Sequence, residues 1–425
     1  MIKILNRSMI LLITLAILIT ACSAAPTAAT SAPVATAVAV SPKPAAAPSD
    51  SSTSSSALAP IKSDWFAVYA KAAANWNITP DAGDVNKFTI TPKTPSGSEK
   101  KVFVLYPRKS SAYDTAISTI LDVFHNKKVP ATFTVVNFDR KNDKGLAALG
   151  LAESLKSDLI LSMGSESTDF VYLNYKGKSI PVVTICSKDP VLLNYVKDYN
   201  SGSGTNIAFT SLNVPIEVQM AYLKQLRPNL RNIAVMFADS NTSSKETQVK
   251  PLKDASSVYK INVIDVVVLQ DAKAKQELEA AMPGVIDEMR KTDPSLQDSI
   301  FWITGSTPVF NEIATINRLA GNVPVLSVVP DVVKEGADSA VLSIGVSFES
   351  NAYIGALYGS DILLGAAKVG DLKVGVVSPP DIAINFNRAK AIGLKVPFSF
   401  FESASFIYNY DGKTVRKGGE EVRLP

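Results

Sequence analysis

The stretch Lys101–Phe138, KVFVLYPRKS SAYDTAISTI LDVFHNKKVP ATFTVVNF, decides the fold class. Val102–Leu105 is a short unbroken apolar run that ends at Tyr106-Pro107, as a buried strand does. Ala112–Phe124 then places Ala116, Ile117, Ile120, Leu121 and Phe124 on one face at helical spacing. Ser111 with Asp114 three residues on suggests a capping box at its start. Thr132–Val136 returns to a strand. Strand, helix, strand with short connections is the unit of a parallel sheet covered by helices.

The same alternation continues in both directions along the chain. Leu159–Leu161 and Val182–Ile185 complete a first series of strands. Ile233–Phe237, Val263–Leu269, Ile300–Ile303 and Val325–Val328 form a second. Helices are expected from about Val214 to Leu226, with Ile216, Met220 and Leu223 as the apolar stripe, and from about Asn351 to Lys368. In the latter, Gly355, Ala356 and Gly359 permit close packing. Gly202-Ser203-Gly204 lies between the two series. Two βα series joined there predict an α/β protein of two Rossmann-like lobes with parallel sheets, joined by hinge segments around a cleft.

Upstream, Lys3 and Arg7 precede the apolar run Met9–Ala21. That run is too short for a bilayer core, which needs about 20 residues, but suits the apolar region of a signal peptide. It ends in Ile19-Thr20-Ala21-Cys22, which resembles the bacterial lipobox. Cys22 would carry the lipid, with palmitate among its acyl chains, and become the mature N-terminus. Ser23–Pro60 is rich in Ala, Pro, Ser and Thr and cannot bury a core. As a coil it reaches on the order of 35 Å, suiting a tether. Within 61–100, Asp64–Trp76 has the pattern of an amphipathic helix and Phe88-Thr89-Ile90 that of a strand. The expected divisions are a signal peptide (1–21), a tether (22–60), an N-terminal extension (61–100), lobe 1 (101–212) and lobe 2 (213–345). The last division, 346–425, is a crossover back to lobe 1 and a C-terminal segment that either lobe could take.

Composition excludes several chemistries. His125 is the only histidine, and Cys22 and Cys186 are the only cysteines. The usual zinc ligand sets and His-based triads therefore lack their parts, and a lipidated Cys22 leaves Cys186 without a disulfide partner. No GxxxxGK[ST] phosphate loop or GxSxG elbow occurs. A formal net charge of +4 without a dense basic patch argues against nucleic acid. No catalytic residue, metal or cofactor is expected. Glu166 with Asp169 is the pair a surface hydrolase would use.

Ligands of open α/β sheets bind beyond the carboxyl ends of the strands. That rule selects the loops carrying Tyr106 and Tyr113; Gly164, Ser165, Glu166 and Ser167; Ser187 and Asp189; Asp239, Ser240 and Asn241; and Ser306 and Thr307. Tyr106, Tyr113 and Phe348 are the aromatic candidates for an apolar wall. Leu159–Leu161 and Val182–Ile185 should be neighbouring parallel strands. Ser165, Ser167 and Ser187 would then hold a carboxylate or similar group at a helix N-terminus, unless Glu166 points inward and calls for a cationic group.

Five segments carry a family resemblance: Ser157–Ser165, Ile180–Val183 with Ser187-Lys188-Asp189-Pro190, Leu223–Pro228 with Asn232–Phe237, Val323–Leu326, and Ile384–Pro397. They resemble the ABC-transporter substrate-binding family that includes tryptophan- and phenylalanine-binding lipoproteins, over about three quarters of the chain. The resemblance implies a periplasmic-binding-protein type I fold and a small ligand such as an amino acid. It implies an ABC permease as partner, a monomer, and an extracytoplasmic place on the membrane through Cys22. The chain departs from the family at Gly164-Ser165-Glu166, Ala238-Asp239 and Gly305-Ser306. The last lacks the family's frequent acid for a ligand ammonium, a role Asp239 or Glu166 could take. A receptor reporting to a membrane sensor is the alternative reading.

Overall fold

The computed structural model describes residues 57–94 and 97–422. The expected signal peptide, Cys22 and nearly all of the expected tether lie outside them. The first sheet contains β1 (Trp76–Pro80), β2 (Lys87–Pro92), β3 (Lys100–Tyr106), β4 (Ala131–Asn137), β5 (Leu159–Met163), β6 (Val182–Ile185) and β7 (Ile207–Ala208). Its order is β1-β2-β4-β3-β5-β6-β7. The strands from β3 to β7 are parallel, and β1 and β2 add an antiparallel edge.

The second sheet contains β8 (Asn232–Ala238), β9 (Asn262–Val268), β10 (Ser299–Ile303), β11 (Val325–Ser327), β12 (Leu342–Gly345), β13 (Asp381–Asn385), β14 (Phe406–Tyr408), β15 (Thr414–Lys417) and β16 (Glu420–Glu421). Its order is β16-β15-β14-β13-β12-β11-β10-β8-β9. Both sheets are parallel at their centres, and β8 and β10 are buried at every position. Strands covered on both faces read as continuous apolar runs, which is why these were legible in the sequence.

The segment Asp64–Trp76 departs from expectation. Only Ala70–Ala73 is helical, and Trp76 opens β1. Long-range contacts override the amphipathic pattern. The Ala67 amide donates to Asp114 Oδ1 at 3.1 Å and the Tyr69 amide to Ser118 Oγ at 2.9 Å, holding the segment extended against helix Ser111–Asn126. The cap of that helix is Ser110, whose side chain accepts from the Ala112 amide, while Asp114 reaches the N-terminal segment instead.

The chain passes between the lobes at 209–215, 346–347 and 376–380. After β12, helix Phe348–Leu363 lies on the first lobe, against helix Ser111–Asn126 and β6. A Cβ at Gly355 would fall 2.7 Å from Ile185 Cγ1, so the small residues of this helix set its approach to the sheet. Gly375 pairs with the edge beside β7, its amide donating to Phe209 O at 2.8 Å. The chain then enters β13, and the C-terminal strands extend the second sheet.

Candidate functional site

The loops after β6 and β7 meet the second lobe where Lys188 lies against Gly305, beyond β10, and where Asn213 donates to Thr247 O, beyond β8. In the first lobe, Gly164 starts helix Gly164–Tyr175 with φ +79°, and the Tyr113 hydroxyl lies over it. A Cβ there would sit 2.0 Å from Tyr113 Oη. Ser165 Oγ accepts from the Lys188 amide at 3.0 Å, tying the loop after β5 to the loop after β6. Ser187 Oγ is buried and has no hydrogen-bond partner among the described residues.

Lys188 is the link to the second lobe. It is 6% exposed, and its ammonium lies against Gly305, where a Cβ would be 1.9 Å from Nζ. Burial pushes its pKa down to about 8. Gly305 is held by its own amide, which donates to Gln248 Oε1 at 2.8 Å, and by its carbonyl, which accepts from Asn241 Nδ2 at 3.3 Å. Asn213, in the first crossover, accepts from the Asp189 amide at 3.1 Å and donates to Thr247 O at 2.8 Å. It thus fastens the base of the cleft on both sides.

Several expected ligand residues are spent on the protein itself. Tyr106 is fully buried beneath Tyr113 and donates to its carbonyl at 3.2 Å, so it is a core residue and not a wall of the cleft. Ser167 is also fully buried, 2.8 Å from Ser162 Oγ and donating to Leu105 O at 3.2 Å. The Asp189 carboxylate accepts from the amides of Val191 and Leu192 and from the Tyr199 hydroxyl. It caps a turn, as Asp often does.

Glu166 is paired with Arg108 at 2.8 Å and Arg140 at 2.6 Å. Asp169 instead accepts from the Tyr195 hydroxyl at 2.7 Å. The two carboxylates do not converge on one reacting group. In the second lobe Asp239 pairs with Lys245 at 2.9 Å and Ser240 donates to Asp271 at 2.7 Å. Asn241 caps the turn after β8 by accepting from the Ser244 amide. Ser306 is buried and accepts from Thr304 Oγ1 at 3.1 Å. Thr307 opens the short helix Thr307–Phe310, and Phe348 is 8% exposed at the start of its helix.

Gly164, Ser165 and Ser187 are therefore brought together with Tyr113 and Glu166 on the first lobe, facing Gly305 and Asn241. Lys188, outside the expected set, joins them, and Asp331 lies nearby at the start of helix Phe348–Leu363. Lys188 stood within a selected loop, but its solvent-avoiding position has no local sequence signal. Asp331 follows β11, on a loop outside the expected set. It is exposed and accepts from the Phe348 amide at 3.2 Å.

Comparison with known proteins places this geometry. The sequence model of the family described as ABC transporter substrate binding protein matches residues 99–405. A curated relative from Clostridioides difficile (strain R20291), a tyrosine-binding protein, is 25% identical over 240 residues. The match covers 56% of this chain and 64% of that protein, just under two thirds of its length. Among solved structures, a ligand-free, open substrate binding protein with adhesive properties from Clostridium difficile superposes with a TM-score of 0.54 at 21% identity. It covers 72% of this chain and 98% of that one. An ABC domain in complex with L-Trp from Streptococcus pneumonia gives 0.58 at 18% identity, covering 73% and 100%. These likenesses show the periplasmic-binding-protein type I fold. With the family match spanning most of the chain, the protein belongs to the ABC transporter substrate binding protein family.

Proposed function

We propose that the protein is the extracytoplasmic, lipid-anchored receptor of an ABC importer. It works as a monomer that captures a small polar ligand, an amino acid or a similar carboxylate, and delivers it to a membrane permease. The observation that carries this reading is the facing of two loop sets across a cleft. The lobes meet there through Lys188 at Gly305 and through Asn213 at Thr247, and the chain crosses between them only in short segments. Such lobes can open and close on a ligand with little internal rearrangement. The relatives named for tyrosine and bound to L-Trp support a small amino-acid-like ligand.

Two measurements test this. In a thermal-shift screen, a true ligand at 100 times its dissociation constant should add about 2.7 kcal/mol to the stability, and small-angle scattering should show compaction on binding. A tight ligand that leaves the scattering unchanged would contradict closure. For the anchor, Cys22→Ala should leave the protein unlipidated and released from membranes, and unchanged membrane partitioning would rule out lipidation at Cys22.

A further inference from the structure

The ammonium of Lys188 is the group in this cleft whose environment is least complete. Lys188 as a whole is 6% exposed, and no carboxylate or other acceptor is hydrogen-bonded to its ammonium among the described residues. Gly305 accommodates it because a side chain there would overlap Nζ. An ammonium buried without a counter-charge is costly, and such groups persist where an anion completes them.

Three acids of the surrounding loops are already engaged. Glu166 lies between Arg108 and Arg140, Asp189 holds two amides and the Tyr199 hydroxyl, and Asp239 is paired with Lys245. The hydroxyl of the preceding residue, Ser187, is likewise buried and without a partner among the described residues. A carboxylate accepts well from both an ammonium and a hydroxyl.

We infer that Lys188, with Ser187, is the anchor for the carboxylate of the ligand, so that the transported solute is a small organic acid recognised by its acidic end. This rests on the solute-binding reading above and deepens it. Because Lys188 leaves the first lobe and contacts the second, an anion seated on it would join both lobes and favour closure. A ligand ammonium is not required by this anchor.

The test uses matched sets of probes: L-tyrosine, L-tryptophan and L-glutamate, each with its deaminated acid and its decarboxylated amine. Melting temperature and calorimetric affinity are measured for the whole protein and for Lys188→Met. Compounds with the α-carboxylate should bind the wild type and lose about tenfold or more in the variant. The amines lacking that carboxylate should not bind. The unliganded variant should melt at or above the wild-type temperature, since it no longer buries an uncompensated charge, so a loss of affinity will not reflect misfolding. Affinity within twofold of wild type in Lys188→Met, or amines binding as well as their acids, would overturn the inference while leaving the transport reading intact. A wild type that binds none of the carboxylates overturns the inference as well. A wider screen then judges whether the protein binds any solute.

Discussion

Replacing Phe66 by alanine should lower the stability of the whole protein by about 3–5 kcal/mol, the range for large aromatic truncations in a packed core. Phe66 is 2% exposed. Its ring stacks on Phe88 with centroids 4.8 Å apart and meets Tyr106 edge-on at 6.0 Å. Trp65 closes the cluster against Phe88 and Tyr106, and its indole donates to Val85 O at 2.9 Å. Tyr106 belongs to β3, the centre of the first sheet, so the N-terminal segment shares the core of lobe 1. Urea unfolding followed by near-ultraviolet and far-ultraviolet circular dichroism should show one shifted transition. A loss below about 1 kcal/mol, or a separate early transition for the N-terminal segment, would mean that residues 57–94 are an appendage.

Asn351→Ala should cost about 2–4 kcal/mol and weaken ligand binding as well. Asn351 is fully buried on the helix that crosses back to the first lobe. Its Oδ1 accepts from the Cys186 amide at 2.7 Å and lies 3.1 Å from Thr210 Oγ1. Cys186 has φ +55°, a left-handed conformation that a residue with a side chain adopts only when its surroundings hold it there. Truncation leaves that amide buried without a partner and frees the backbone that carries Ser187 and sets Lys188 against Gly305. Chemical denaturation and ligand titration of the variant measure the two effects. A stability change with intact affinity would show that the loop after β6 is positioned by other contacts.

The chain's own sequence determined the alternation of strands and helices from Lys101 to Val328, because strands covered on both faces must be apolar throughout and their covering helices must carry one apolar stripe. It also singled out the loops that follow those strands, since parallel strands present their carboxyl ends together, though not the loop after β11 that carries Asp331. The paired strands β5 and β6 bring Ser165 to the Lys188 amide in just this way.

Tertiary structure alone decided which polar side chains in those loops are free. Asp189 reads as a ligand residue until Tyr199 takes its carboxylate, and Ser167 until Ser162 and Leu105 enclose it. The helical pattern of Asp64–Trp76 yields to amide bonds with Asp114 and Ser118, about fifty residues away. The joining of β13–β16 to the second sheet, after a helix packed on the first, likewise has no local signal. Neither does the burial of Lys188 against Gly305. Local sequence sets backbone preference and apolar periodicity. Whether a given hydroxyl, carboxylate or ammonium is satisfied depends on partners far along the chain, and only the folded arrangement brings those partners within hydrogen-bond distance.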